Sequence, residues 1–191
     1  AFPQRGELNL APDWSPDGTR IAFAGSRDGN AEIFVLTVSS GAMVRLTSNP
    51  ALDTSPSWSP TGREIAFVSD RSGSPQIYLM DAEGTNVRRL THEGNWNDLP
   101  AWSPRGDRIA YCSRLEGHFD IFLRDLATQK TTRLTSGSGN NEDPRWSPDG
   151  RHLVFSSDRA GNYDIYEMDL DGGNARRVTR GGNSFNPDWS R

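Results

Sequence analysis

The chain has 191 residues, 34% apolar and 24% charged, with 21 basic against 25 acidic side chains and a net charge of −4. That balance gives no electrostatic footprint for nucleic acid or an anionic membrane, and no apolar run approaches the roughly 18–20 residues needed to span a bilayer. Cys112 stands alone, which excludes an intrachain disulfide and a thiol-built metal cluster, and the length suits a single domain with a real hydrophobic core.

In chain order, the dominant pattern is a repeat. Trp followed by Ser recurs at Trp14, Trp58, Trp102, Trp146 and Trp189, spaced 44, 44, 44 and 43 residues apart. Each Trp has Pro two before it (Pro12, Pro56, Pro100, Pro144, Pro187), and the first four have Gly four after (Gly18, Gly62, Gly106, Gly150). Between them the Ser-Pro-Asp-Gly type of turn has a mechanism: Pro presets φ, Asp bonds its own backbone, and Gly accepts φ > 0. A β-rich run follows (Ile21-Ala22-Phe23, Ile65-Ala66-Phe67, Ile109-Ala110-Tyr111, Leu153-Val154-Phe155), then a second apolar pair (Ile33-Phe34, Ile77-Tyr78, Ile121-Phe122, Ile165-Tyr166). Arg-Leu-Thr closes three repeats at Thr47, Thr91 and Thr135, and Arg177-Val178-Thr179 closes the fourth. Asp169 to Gly172 reads as the hairpin turn before a fourth strand.

Each repeat therefore offers four short antiparallel strands, and no apolar stripe at helical spacing survives the Gly and Pro punctuation. Four strands per repeat of about 40–45 residues define an all-β fold, a β-propeller built of four-stranded antiparallel blades. The blades are expected at 11–47, 54–91, 98–135 and 142–179, with an extra inner strand at 186–190, in one domain over 1–191. Trp14, Trp58, Trp102 and Trp146 are read as packing between blades.

The pattern Pro-x-Trp-Ser-Pro-x-Gly-x-x-Ile-Ala-Phe, then Ser-Asp-Arg-x-Gly, Ile-Tyr-x-Met-Asp and Arg-Leu-Thr, best kept from Pro56 to Thr91 and from Pro144 to Thr179, resembles the WD40-like PD40 blade of the TolB β-propeller family. The resemblance covers essentially the whole chain. It implies a protein-interaction scaffold with a protein partner in the cell envelope and a periplasmic location. Blades of this kind are also similar to those of propellers attached to prolyl-oligopeptidase-like peptidases and of some lyases. A substrate-gating propeller of a larger peptidase-like protein is the alternative reading. The family's namesake carries six blades and an α/β domain, against four repeats in this chain.

Candidate sites come in two kinds. Asn9, Asp53, Asn97 and Asn141 keep the 44-residue spacing just upstream of each innermost strand. They are expected to ring a channel mouth, where their oxygens could hold Ca²⁺, with Asp53, Asn97 and Asn141 as ligands, or simply to cap the loop before Pro. Otherwise no cofactor is expected. The second kind breaks the repeat. Trp96 is the one tryptophan out of register; Leu8, Leu52 and Asn140 occupy its position elsewhere. With His92, Arg114, His118 and Phe185 it is read as a partner surface.

Enzyme chemistry finds no motif. The three histidines fall at different phases of the repeat, and no nucleophile elbow, His-Glu-x-x-His or phosphate loop occurs. The Ser-Asp-Arg turns at Asp70-Arg71 and Asp158-Arg159 are read as structural, Asp bonding its own turn; they degenerate to Arg27-Asp28 and Arg114-Leu115. The two ends match, Pro12-Asp13-Trp14-Ser15 against Pro187-Asp188-Trp189-Ser190, and Phe2-Pro3 stands where Leu-Thr recurs. From this the chain is expected to be an arc of a larger propeller or to complete a blade by self-association.

Overall fold

The computed structural model describes residues 9–27, 29–137 and 139–189. Leu8, Phe2-Pro3, Asp28 and Ser190 lie outside them. Sixteen strands follow one another: β1 (Asn9–Trp14), β2 (Arg20–Gly25), β3 (Glu32–Thr37), β4 (Met43–Arg45), β5 (Asp53–Trp58), β6 (Glu64–Ser69), β7 (Gln76–Asp81), β8 (Arg88–Arg89), β9 (Asn97–Trp102), β10 (Arg108–Leu115), β11 (His118–Asp125), β12 (Thr131–Arg133), β13 (Asn141–Trp146), β14 (His152–Ser157), β15 (Asp164–Asp169) and β16 (Arg176–Arg177). They form four four-stranded antiparallel meanders, β1–β4, β5–β8, β9–β12 and β13–β16, as the repeat requires. These are the blades of a β-propeller.

The chain divides into two compact units, up to Pro100 and from Ala101. The repeat is modular, so a sheet needs only a neighbour to bury its faces. In the first unit, one core joins Ala22, Ile33 and Val35 of the first sheet to Trp58, Ile65, Phe67, Tyr78 and Met80 of the second.

Every sheet places one aromatic pair directly across its two middle strands: Phe23–Phe34, Phe67–Tyr78, Tyr111–Phe122 and Phe155–Tyr166, with centroids 5.8–5.9 Å apart. Pairs at this separation add to the burial of the rings themselves. The turn chemistry is as expected: the Asp17 carboxylate accepts from Thr19 N at 3.0 Å and from the Ser15 hydroxyl at 2.6 Å, and Asp149 repeats this with Arg151 N and Ser147. These donors hold the Asp17 carboxyl down at about 2.

Arg-Leu-Thr acquires a reason. Thr135 Oγ1 accepts from Ile121 N (2.9 Å) and donates to Asp120 (2.7 Å), while Arg133 ties the same carboxylate at 2.6 Å. Glu32 with Thr47 and Arg45, and Asp164 with Thr179 and Arg177, repeat the arrangement. In the second sheet Gln76 replaces the acid, and Arg89 keeps the bond to the Thr91 carbonyl that Arg45, Arg133 and Arg177 also make to theirs. The motif thus locks the fourth strand to the third around a buried polar group that would otherwise be costly.

The first strand of each repeat is bent. In β1, β5 and β13 the register slips by one residue between Leu10 and Asp13, Thr54 and Ser57, and Glu142 and Arg145. The residue before Pro is left-handed in each case (Ala11 φ 50°, Ser55 49°, Asp143 58°), as is Leu99 at 52°. Bulges of this kind redirect neighbouring side chains.

Two expectations need correction. Trp58 is 5% exposed, with Arg20 of the preceding sheet 4.6 Å above its ring, and Trp102 and Trp146 are likewise buried, but Trp14 is 55% exposed. Trp58 and Trp146 both contact the sheet before their own, Trp58 through Arg20 and Trp146 through Ala101 O. The inner strand expected at 186–190 is not a strand over its described residues, 186–189. Asn186 keeps the left-handed φ of the bulge (52°), yet a strand requires a paired ladder, which local sequence cannot supply.

Candidate functional site

Asn9, Asp53, Asn97 and Asn141, the residues expected to form a polar ring, are placed by the strands they open. Each opens a first strand rather than preceding it, and Asp53, Asn97 and Asn141 are buried, at 0%, 1% and 0% exposure. Asp53 receives Arg71 at 2.9 Å and Asn49 at 2.9 Å. Asn97 donates to Gln76 Oε1 (2.9 Å) and Glu93 O (2.8 Å); Asn141 donates to Asp120 Oδ1 at 3.0 Å and accepts from Ser157 and Arg159. The side chains of Asp53, Asn97 and Asn141 thus clasp the end of the preceding repeat. Asn9 is exposed and lies opposite Gly25. Among the described residues no three His, Cys, Asp or Glu side chains group to hold a metal.

The Ser-Asp-Arg turns are structural, though not through the bond expected. Asp70 accepts from Leu52 N (2.8 Å) and Asp158 from Asn140 N (2.6 Å), so each carboxylate reaches the loop entering its own sheet rather than its own turn. Arg71 lies over Phe67 and Tyr78 and donates to Ser69 and Asp53; Arg159 lies over Phe155 and Tyr166 and donates to Ser157 and Asn141.

The residues that break the repeat are exposed. In the first unit, Asn97 and Gln76 pin the loop after β8: Gln76 Nε2 donates to Gly94 O at 3.2 Å, and Asn97 N donates to Pro75 O at 2.9 Å. The pinned loop holds Trp96 outward at 41% exposure, with His92 exposed at its start. The Trp96 indole N–H makes a long 3.4 Å bond to Asp98 Oδ2. Asp98 Oδ1 accepts from Leu99 N at 2.7 Å and the Ser55 hydroxyl at 3.0 Å. The left-handed Leu99 beside it belongs to the same bend.

The second unit repeats this chemistry. Phe185 is 51% exposed and lies 4.6 Å from Tyr163, centroid to centroid, anchored by Ser184 N donating to Tyr163 O at 2.9 Å. The Tyr163 hydroxyl donates to Glu142 Oε1 at 3.4 Å. Burial first, then the Glu142 and Asp158 charges, push the phenol up to about 12, so it remains a donor. His118 sits elsewhere in this unit, exposed beside the Glu116-Gly117 turn and opposite Leu115. Trp96 and His92 thus fall in one unit, and Phe185 and His118 in the other.

Asp98, Glu142 and Tyr163 escaped the sequence reading. The signal was present: the position two before Pro reads Leu10, Thr54, Asp98, Glu142, a variable and twice acidic site inside an otherwise strict repeat. A cleft of about 40 Å³ in the second unit, lined by Ser103, Arg105, Asp107, Arg108, Trp146, Gly150 and Leu170, fits a water rather than a substrate.

Fold and site together define a β-propeller of PD40 blades whose repeated residues are structural and whose exceptions lie at the surface. The family model described as the TolB beta propeller domain matches residues 3–128 and 97–191, and the chain belongs to that family. The crystal structure of TolB from Acinetobacter baumannii superposes with a TM-score of 0.85 at 31% identity, over 95% of this chain and 46% of that one. The Tol-Pal system protein TolB of Syntrophus aciditrophicus is 48% identical over 41 residues, 22% of this chain and 9% of that protein. An oligogalacturonate lyase in complex with manganese superposes at TM-score 0.72 and 19% identity, over 94% of this chain and 55% of that one, a likeness of fold alone. The chain thus covers less than half of the A. baumannii protein, and its 41-residue match covers under a tenth of the S. aciditrophicus one.

Proposed function

We propose that this chain is a non-catalytic protein-interaction module of the TolB type, acting in the cell envelope and located in the periplasm, as the family resemblance implies. The observation that carries the reading is the contrast among aromatic residues. The repeated Trp58, Trp102 and Trp146 are buried, whereas Trp96 and Phe185, which break the repeat, are half exposed, Trp96 beside Asp98 and Phe185 against Tyr163. Exposed aromatics on anchored loops are what a protein interface uses as rigid contact residues. The likeness to peptidase and lyase propellers supports the shared fold and lends no chemistry to this chain.

A cross-linking pull-down from envelope extract tests this, with wild type beside Trp96→Ala and His92→Ala. A partner enriched by wild type and lost with Trp96→Ala is the expected result. Undiminished capture by both variants, or hydrolytic or lyase turnover by the purified chain, would sink the reading.

A further inference from the structure

We propose that two copies of this chain join by exchanging a strand: the segment 184–189 of one copy takes the place of β1 beside β2 of the second copy. The partner here is a second copy of the chain, and the assembly goes beyond capture of an envelope protein.

Three observations converge. First, 184–189 is a first strand in sequence and in conformation. Pro187-Asp188-Trp189-Ser190 matches Pro12-Asp13-Trp14-Ser15. Asn186, just before the proline, is left-handed at 52°, as Ala11 is at 50°. Ser184 N donates to Tyr163 O at 2.9 Å, the counterpart of the bonds from Asp53 N to Ala31 O and from Asn97 N to Pro75 O that open β5 and β9. Pro187 is buried and Trp189 half-buried. The segment is therefore docked and bent as a first strand, yet among the described residues no strand pairs with it.

Second, β1 shows the converse. It is paired, with Leu10↔Ala24, Asp13↔Ala22 and Trp14↔Ile21 joining it to β2, but its Leu10 and Trp14 are 54% and 55% exposed. Trp58, at the same place in the next sheet, is 5% exposed with Arg20 of the preceding sheet over its ring. What covers a tryptophan of this motif is thus a preceding sheet of the same kind. After exchange the sheet β13–β16, which carries 184–189, becomes that preceding sheet for the second copy.

Third, the exchange costs little. The ladder lost on releasing β1 is remade by equivalent residues, so hydrogen bonding nearly cancels, while the apolar surface covered is a net gain. A segment already bent and docked loses less entropy on pairing. Swapping an identical element is a low-cost route to a dimer. Two copies of four sheets give eight, the upper end of the roughly 4–8 blades of known propellers. Reciprocal exchange therefore closes at two copies.

Sedimentation tests this, with a particle of twice the 21.1 kDa chain mass expected. A β-branched residue disfavours the left-handed bend. Asn186→Val should therefore weaken the dimer about tenfold, whereas Ala11→Val, which loosens the competing β1, should tighten it several-fold. Residue 186 lies outside the sixteen strands, so an unchanged melt of dilute Asn186→Val checks the fold. In a mixture of ¹⁵N- and ¹³C-labelled chains, the Trp189 indole N–H (identified by its loss in Trp189→Phe) should show an intermolecular NOE to the Ile21 methyls. A wild type that stays monomeric at NMR concentrations, masses that grow beyond two chains, or a dimer without that NOE overturns the proposal. Weakening by both valine variants alike also overturns it, since a surface contact without exchange gives β1 no competing role.

Discussion

The two middle hairpins of the second unit solve one structural problem in opposite ways. β14–β15 closes with Ser157-Asp158-Arg159, whose arginine caps Phe155 and Tyr166 and reaches Asn141, and whose aspartate anchors the incoming loop. β10–β11 has Arg114-Leu115 at that place. Its ladder instead runs on to Leu115↔His118 and turns tightly at Glu116-Gly117, where both residues have positive φ. The clasped hairpin spends its charges internally, while the extended one leaves Arg114, Leu115 and His118 at the surface. A repeat position can therefore serve the fold in one copy and be released from it in the next, because backbone pairing substitutes for the side-chain clasp.

The largest effect should come from the turn before β16. Gly172 has φ 83°, and a Cβ there would lie 2.3 Å from Leu134 O. Gly172→Ala should cost about 3 kcal/mol, read as a lowered urea midpoint. An unchanged midpoint would show that the backbone yields there. Next, Arg159→Met should cost about 2 kcal/mol by removing the charge-assisted bonds to Asn141 and Ser157, while Arg114→Met stays within about 0.5. Equal losses in parallel melts would erase the contrast between the hairpins.

A smaller difference separates the Thr positions that close the two sheets. Thr135 is buried and Thr179 half-buried, each accepting from an isoleucine N–H at 2.9 Å. Thr135→Val should cost about 1.5 kcal/mol and Thr179→Val less, since water can partly replace the lost acceptor.

The smallest effect is a pH effect. Hydrogen bonds from Ser147 and from Arg151 N hold the exposed Asp149 carboxyl below its ordinary 3.8, and Arg105 occupies the same turn position in the preceding repeat. A carboxyl lowered by folding stabilises the fold above its ordinary value, and that contribution is lost as pH falls through the lowered one. Asp149→Asn should therefore slightly flatten the acid limb of the stability curve. A carboxyl ¹³C titration of Asp149 centred at or above 3.8 would contradict this.

Much of the fold was legible because its determinants are local and recur. Trp-Ser-Pro-x-Gly, the paired apolar runs and Asp169 to Gly172 placed sixteen strands in four sheets, since turn residues and alternation act within a few positions. The candidate site was half legible. Trp96 and Phe185 stand out as aromatics off the repeat, but Asp98 and Glu142 read as ordinary acids until a ring is seen beside them. For Glu142 that ring belongs to Tyr163, 21 residues further on. The partners of the buried polar positions were hidden for a similar reason. Strict spacing marked Asp53, Asn97 and Asn141 as equivalent without saying whether they face solvent or Arg71, Gln76 and Asp120.

By itself, then, the sequence determined the repeat, the four-stranded sheets and the family, because periodic chemistry dictates local backbone. Only the tertiary structure decided which repeated residues are consumed by packing and which exceptions reach the surface. Burial and hydrogen-bond partners come from neighbouring strands and sheets, often 13 to 45 residues away, as in Arg133–Asp120 and Trp146–Ala101. Contacts at that range are made by packing and leave no linear motif.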